Sequence, residues 1–105
     1  MQIRINAEGG LSHQTRDRLE RRVRRRLHPW TGKIISVRVD LDEMHDAPEL
    51  IDHRCRLHLI LEQDRDIIVF EEGDTWSDAV NEALDAAEEH LLRHPFSARY
   101  PAIPA

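Results

Sequence analysis

Residues 34–42 read IISVRVDLD. From Ile35 onward apolar and polar side chains alternate: Ile35, Val37, Val39 and Leu41 on one side, Ser36, Arg38, Asp40 and Asp42 on the other. Successive strand side chains point to opposite faces, so this stretch predicts a strand with one buried and one wet face. Downstream, residues 43–52 gather Glu43, Asp46, Glu49 and Asp52 around Pro48 and read as an acidic loop. HRCRLHLILEQ (residues 53–63) then alternates again, with Cys55, Leu57, Leu59 and Leu61 inward and Arg54, Arg56 and His58 outward. Asp64-Arg65-Asp66 makes a short turn into IIVF (residues 67–70). Three strands with short connections predict an antiparallel meander.

Upstream of the central strand, Thr15, Leu19, Val23 and Leu27 recur every four residues, which is the narrow apolar stripe of a helix. Ser12 is placed to cap its start, and Pro29 ends it. Before it, MQIRIN alternates Ile3 and Ile5 against Gln2, Arg4 and Asn6 and predicts a first strand, broken at Glu8-Gly9-Gly10. A last helix opens at Asp74 or Thr75, with Trp76, Val80, Leu84, Ala87 and Leu91 as its apolar stripe, and stops at Pro95. The fold class is therefore α+β, in the order β-α-β-β-β-α. Two helices pack on one face of a four-stranded sheet whose other face meets water. Arg4, Arg38, Arg54, Arg56 and His58 share that open face; cross-strand charges of this kind first read as keeping the face soluble, and a basic patch is the second reading. The 105 residues bound the chain to one domain, read as residues 1–94, with a proline-containing tail at 95–105 that lacks a core pattern.

No stretch approaches the run of roughly 18 apolar residues that a membrane helix requires. The N-terminus has no apolar signal region, and the single Cys55 excludes an internal disulfide. These features point to the cytoplasm and away from a membrane. Catalytic and metal constellations are missing as well. Cys55 sits within an apolar alternation and reads as a small buried hydrophobe. His90 and His94 have the spacing of a helical ligand pair but neither a His-Glu-x-x-His pattern nor a cysteine pair beside them. Gly9-Gly10 is too short to cradle a phosphate and reads as a turn, and the acidic loop lacks the calcium-loop pattern. No enzyme activity, cofactor, metal or small-molecule substrate is expected.

Charge is the informative signal. The chain carries a formal net charge of -5, yet residues 16–28, RDRLERRVRRRLH, hold seven arginines. With Val23 at the centre of the buried face, about 100° per residue puts Arg18, Arg21 and Arg25 opposite it, with Arg22 and Arg24 on the flanks. Guanidinium forks match phosphate oxygens, and each neutralised phosphate releases counterions. The candidate RNA-binding residues are Arg18, Arg21, Arg22, Arg24 and Arg25, with Arg93 at the end of the last helix as a lesser addition. The other reading is a solvated face in which Arg22 or Arg24 pairs with Asp78, Glu82 or Asp85 of the last helix.

The order of elements, with MQIRIN, the helix ending RRRLHPW, IISVRVDLDE, HRCRLHLIL and EEGDTWSDAVNEALDAAEEHLLRH, resembles the ribosome hibernation factor family, also called the ribosome-associated inhibitor or sigma-54 modulation protein family. The likeness runs through roughly residues 1–93 and includes a helix entrance formed by Asp74, Trp76, Ala79 and Val80. It implies a fold like that of double-stranded RNA-binding domains. It also implies binding to rRNA in the decoding channel of the small ribosomal subunit, where a bound factor inhibits translation and preserves idle ribosomes without catalysis. Long members add a C-terminal dimerisation domain, and this chain reads as the short form. One departure stands out. Basic residues are expected along the last helix, whereas this helix has Ala86, Ala87, Glu88 and Glu89 there and five acids against one arginine overall. A rival from another class is a protein-interaction module of the same fold that has lost the ribosome and works through its acidic helix and loop.

Overall fold

The computed structural model describes residues 1–93. The expected tail at 95–105, His94 and the helix-stopping Pro95 lie outside the described residues. The elements are β1 (Gln2–Ala7), α1 (His13–Leu27), a 3-10 turn (His28–Trp30), β2 (Ile34–Ala47), β3 (Leu50–Leu61), β4 (Ile67–Gly73) and α2 (Trp76–Arg93). The sheet order is β1-β2-β3-β4. β1 runs parallel to β2, while β2, β3 and β4 form the antiparallel meander. A parallel pair needs a crossover, and α1 supplies it.

Register converts the alternation into a core. Ile5, Val39, Leu57 and Val69 stand side by side across all four strands, and all four are buried. Leu19, Val23 and Leu27 of α1 pack on this face, as do Val80, Leu84, Ala87 and Leu91 of α2. Ala79 and Ala83 are also fully buried and broaden the α2 stripe beyond the expected one. Ser12 caps α1 as its sequence predicts, its Oγ accepting from the Thr15 amide at 3.1 Å. At α2 the Thr75 hydroxyl accepts from the Asp78 amide at 3.0 Å. Gly9 and Gly10 turn the chain with φ of +87° and +86°, values that side chains with a Cβ rarely adopt.

Two expectations are corrected. Ile35, expected inward with Val37, is 54% exposed while Ile34 is 3% exposed. The ladder between β2 and β3 shifts register between Ile34 and Ser36, and the extra residue reverses the parity. Residues 43–52 are not a loop. β2 continues to Ala47 and β3 starts at Leu50, pairing Glu43 with His53 and His45 with Ile51. The open face is a paired, soluble surface and not a basic patch, the first of its two readings. Asp42 accepts two bonds from Arg54 at 2.7 and 2.9 Å, and Asp66 meets His58 at 2.7 Å. Asp40 gathers Asn6 at 3.3 Å, Arg56 at 3.2 Å and Arg38 at 3.6 Å. Cross-strand carboxylates therefore neutralise most of the cations that the alternation brings there.

Gly73, the last residue of β4, sets how closely α2 approaches the sheet. A Cβ there would stand 2.5 Å from the Ala79 amide nitrogen and 2.7 Å from the Asp78 Cβ. Gly73→Ala forces strand and helix apart and is expected to lower stability by about 1–3 kcal/mol. Denaturant unfolding of the two proteins measures this, and an unchanged midpoint would mean the approach is slack.

Candidate nucleic-acid interface

Helix α1 is built so that its arginines divide by direction. With Val23 inward, Arg26, Arg22 and Arg18 lie at about 60°, 100° and 140° to one side, the side of α2, and Arg24 lies at about 100° to the other. Arg18, Arg21, Arg22, Arg25 and Arg26 line a cleft of about 400 Å³, closed on the far side by Asn81 of α2. Arg24 is the one arginine among the α1 candidates that stays outside it. It reaches Glu20 of its own helix at 3.5 Å, an exposed i,i+4 pair worth a few tenths of a kcal/mol.

The acidic helix does meet α1, but through a residue outside the candidate set. Arg26 donates to Asp85 at 2.6 Å and to Glu88. The hydrogen bond to Glu88 raises the Arg26 pKa, burial opposes it, and the bond to Asp85 adds to the rise. The cation is thus locked to α2. The sequence signal was present: Arg26 follows Val23 by three positions, and Asp85 and Glu88 share one face of α2. The expectation that Arg22 or Arg24 would pair with Asp78, Glu82 or Asp85 is not met. Arg18, Arg21, Arg22 and Arg25 form no ion pair with a carboxylate among the described residues.

Arg22 is the distinctive member. It is half-buried, and its Nη1 is shielded from solvent with no hydrogen-bond partner among the described residues. A charged N–H left without an acceptor in a protein interior costs about 1–3 kcal/mol or more. An anion in the cleft would supply that acceptor. Arg16, by contrast, is spent within the fold, donating to the carbonyl of Ile5. Arg93 lies at the far end of α2, paired to Glu89 on the helix surface, and does not line the cleft.

Other chemical candidates do not compete. Burial, aided by Asp40 and Glu71, pushes the Cys55 thiol up to about 12, so it stays a thiol at physiological pH. No group of three or more His, Cys, Asp or Glu side chains among the described residues is arranged to hold a metal. Trp30 packs partly buried against the core, and Trp76 stacks edge-on with His53 at 4.4 Å between ring centres. No helix among the described residues is long and apolar enough to cross a membrane.

The comparisons with known proteins agree with this architecture. The family model described as sigma 54 modulation protein / S30EA ribosomal protein matches residues 5–95. A ribosomal subunit interface protein from Coxiella burnetii superposes with a TM-score of 0.72 at 18% identity, covering 90% of this chain and 97% of that one. The N-terminal domain of Protein Y from Thermus thermophilus superposes with a TM-score of 0.71 at 20% identity, covering 89% of this chain and 98% of that one. No curated protein matches the chain by sequence.

Proposed function

Because the chain belongs to the sigma 54 modulation protein / S30EA ribosomal protein family, we propose that it is a ribosome-binding hibernation-type factor that inhibits translation by occupancy. It lies in the decoding channel of the small subunit, with α1 against rRNA phosphates, and excludes messenger and transfer RNA. The observation that carries this reading is the set Arg18, Arg21, Arg22 and Arg25, held on a rigid helix beside a cleft and unpaired with any acid among the described residues. Four preplaced guanidinium groups recognise a backbone by charge and spacing, and nothing beside them reads base edges. Arg24 and Arg93 hold exposed acids one helical turn away and join the contact only when phosphate displaces those acids. The reading involves no chemical step, and it places the protein in the cytoplasm with the ribosome.

Co-sedimentation with isolated small subunits tests it. The protein is expected to pellet with them in low salt and to stay in the supernatant in high salt. Failure to pellet at low salt overturns the proposal. The protein-interaction reading draws on one observation, the exposed Leu50 and Ile51 among the acids of the β2–β3 hairpin.

A further inference from the structure

The β2–β3 hairpin outruns the sheet. β1 leaves β2 at Leu41 and β4 leaves β3 at His53, so residues 43–52 form a two-stranded ribbon with both edges open. The molecule is accordingly 57 Å long but 26 by 17 Å in section. A lone two-stranded ribbon is marginal in water, yet this one also exposes Leu50 (61%) and Ile51 (44%). It carries Glu43, Asp46, Glu49 and Asp52 with no Lys or Arg. Glu43 is engaged by His53 at 3.4 Å, whereas Glu49 and Asp52 have no ion pair among the described residues. Such an arm repels phosphate and fits a cationic surface.

The complementary surface is on the same molecule but out of the arm's reach. β1 ends beside Leu41, so α1 begins at the arm's end of the sheet and runs away from it toward Ile34, and the arm projects beyond the helix N-terminus. Dimensions match between copies. The arm is about 15 Å long at 3.3 Å per residue, and Arg18 to Arg25 span about 10 Å along α1. The arginine stems offer apolar surface to Leu50, and the guanidinium heads meet Asp52 on the same ribbon face and Glu49 at the hairpin turn.

We infer that the acidic arm of one copy docks in the arginine cleft of a second copy, head to tail, so that self-association and polyanion binding exclude one another. The contact itself stands without the ribosome reading; its regulatory sense, a concentration-dependent masking of the cleft, rests on that reading. Because the two surfaces differ, the contact is heterologous and propagates unless the rotation happens to close.

Light scattering of the purified chain at low salt tests this. The mass is expected to rise with concentration to twice the monomer or more. It should return to the monomer near 1 M salt, where the screening length falls to about 3 Å. Glu49→Lys with Asp52→Lys, and separately Arg21→Glu with Arg25→Glu, are each expected to stay monomeric while unfolding at the wild-type midpoint. Mixing the two variants is expected to restore association, which a general loss of folding or solubility would not do. A wild-type chain that stays monomeric to millimolar concentration overturns the inference, as does association that survives either reversal. A short RNA duplex is the second probe. RNA that binds and lowers the mass supports a shared cleft, and RNA that binds with the mass unchanged removes the arm from the cleft. RNA that does not bind at all defeats the ribosome reading and leaves the self-association result standing.

Discussion

Arg21→Glu combined with Arg25→Glu is expected to remove small-subunit binding altogether. Both side chains line the cleft, are exposed, and make no ion pair within the described residues, so reversing them costs the fold little. For the ligand the change is large. Of the five cleft arginines, Arg26 is already committed to Asp85 and Glu88, which leaves four cations to neutralise phosphate. Four contacts predict a log–log salt slope of about -3 to -4, so wild-type affinity falls roughly a hundredfold between 50 and 200 mM salt. Reversing two of the four cancels the remaining two, and both affinity and salt dependence collapse. Titration of labelled protein with small subunits at several salt concentrations reads both quantities. A double variant that binds with an unchanged slope would place the contact on another face.

The fold was largely legible because a sheet covered on one face writes its period into the sequence. Val37, Val39 and Leu41 of β2, and Cys55, Leu57 and Leu59 of β3, alternate and are buried as they read. The failures have physical causes that a period cannot carry. A bulge adds one residue without changing composition, so Ile34 and Ile35 exchange places. The arm has no core beneath it, so its backbone ladder leaves no apolar period, and Pro48 with its acids imitates a loop. The charge balance of the open face depends on register: Arg54 stands across from Asp42 and Arg56 from Asp40 only after the strands are aligned. The arginine helix was legible as a charge but not as a site. Which guanidinium α2 would take was a question of the crossing of two helices, and the answer was Arg26.

That choice gives the acidic helix a role and a second test. Asp85 and Glu88 fix Arg26, and they stand beside the cleft where they repel any phosphate that enters. Asp85→Ala with Glu88→Ala releases the fifth arginine and removes two like charges at once, and alanine keeps α2 helical. Arg26 and Glu88 are only partly buried, so the pair's contribution is screened and its loss costs about 1 kcal/mol of stability. One further phosphate contact steepens the salt slope by about 0.7 to 0.9, equivalent to roughly tenfold tighter binding at 0.1 M salt. The variant is therefore expected to unfold slightly earlier and bind small subunits more tightly, an opposition that a merely structural pair would not produce. Affinity that stays level while stability falls would show that α2 lies away from the RNA. The contact would then run along the outer side of α1 alone, through Arg21 and Arg25.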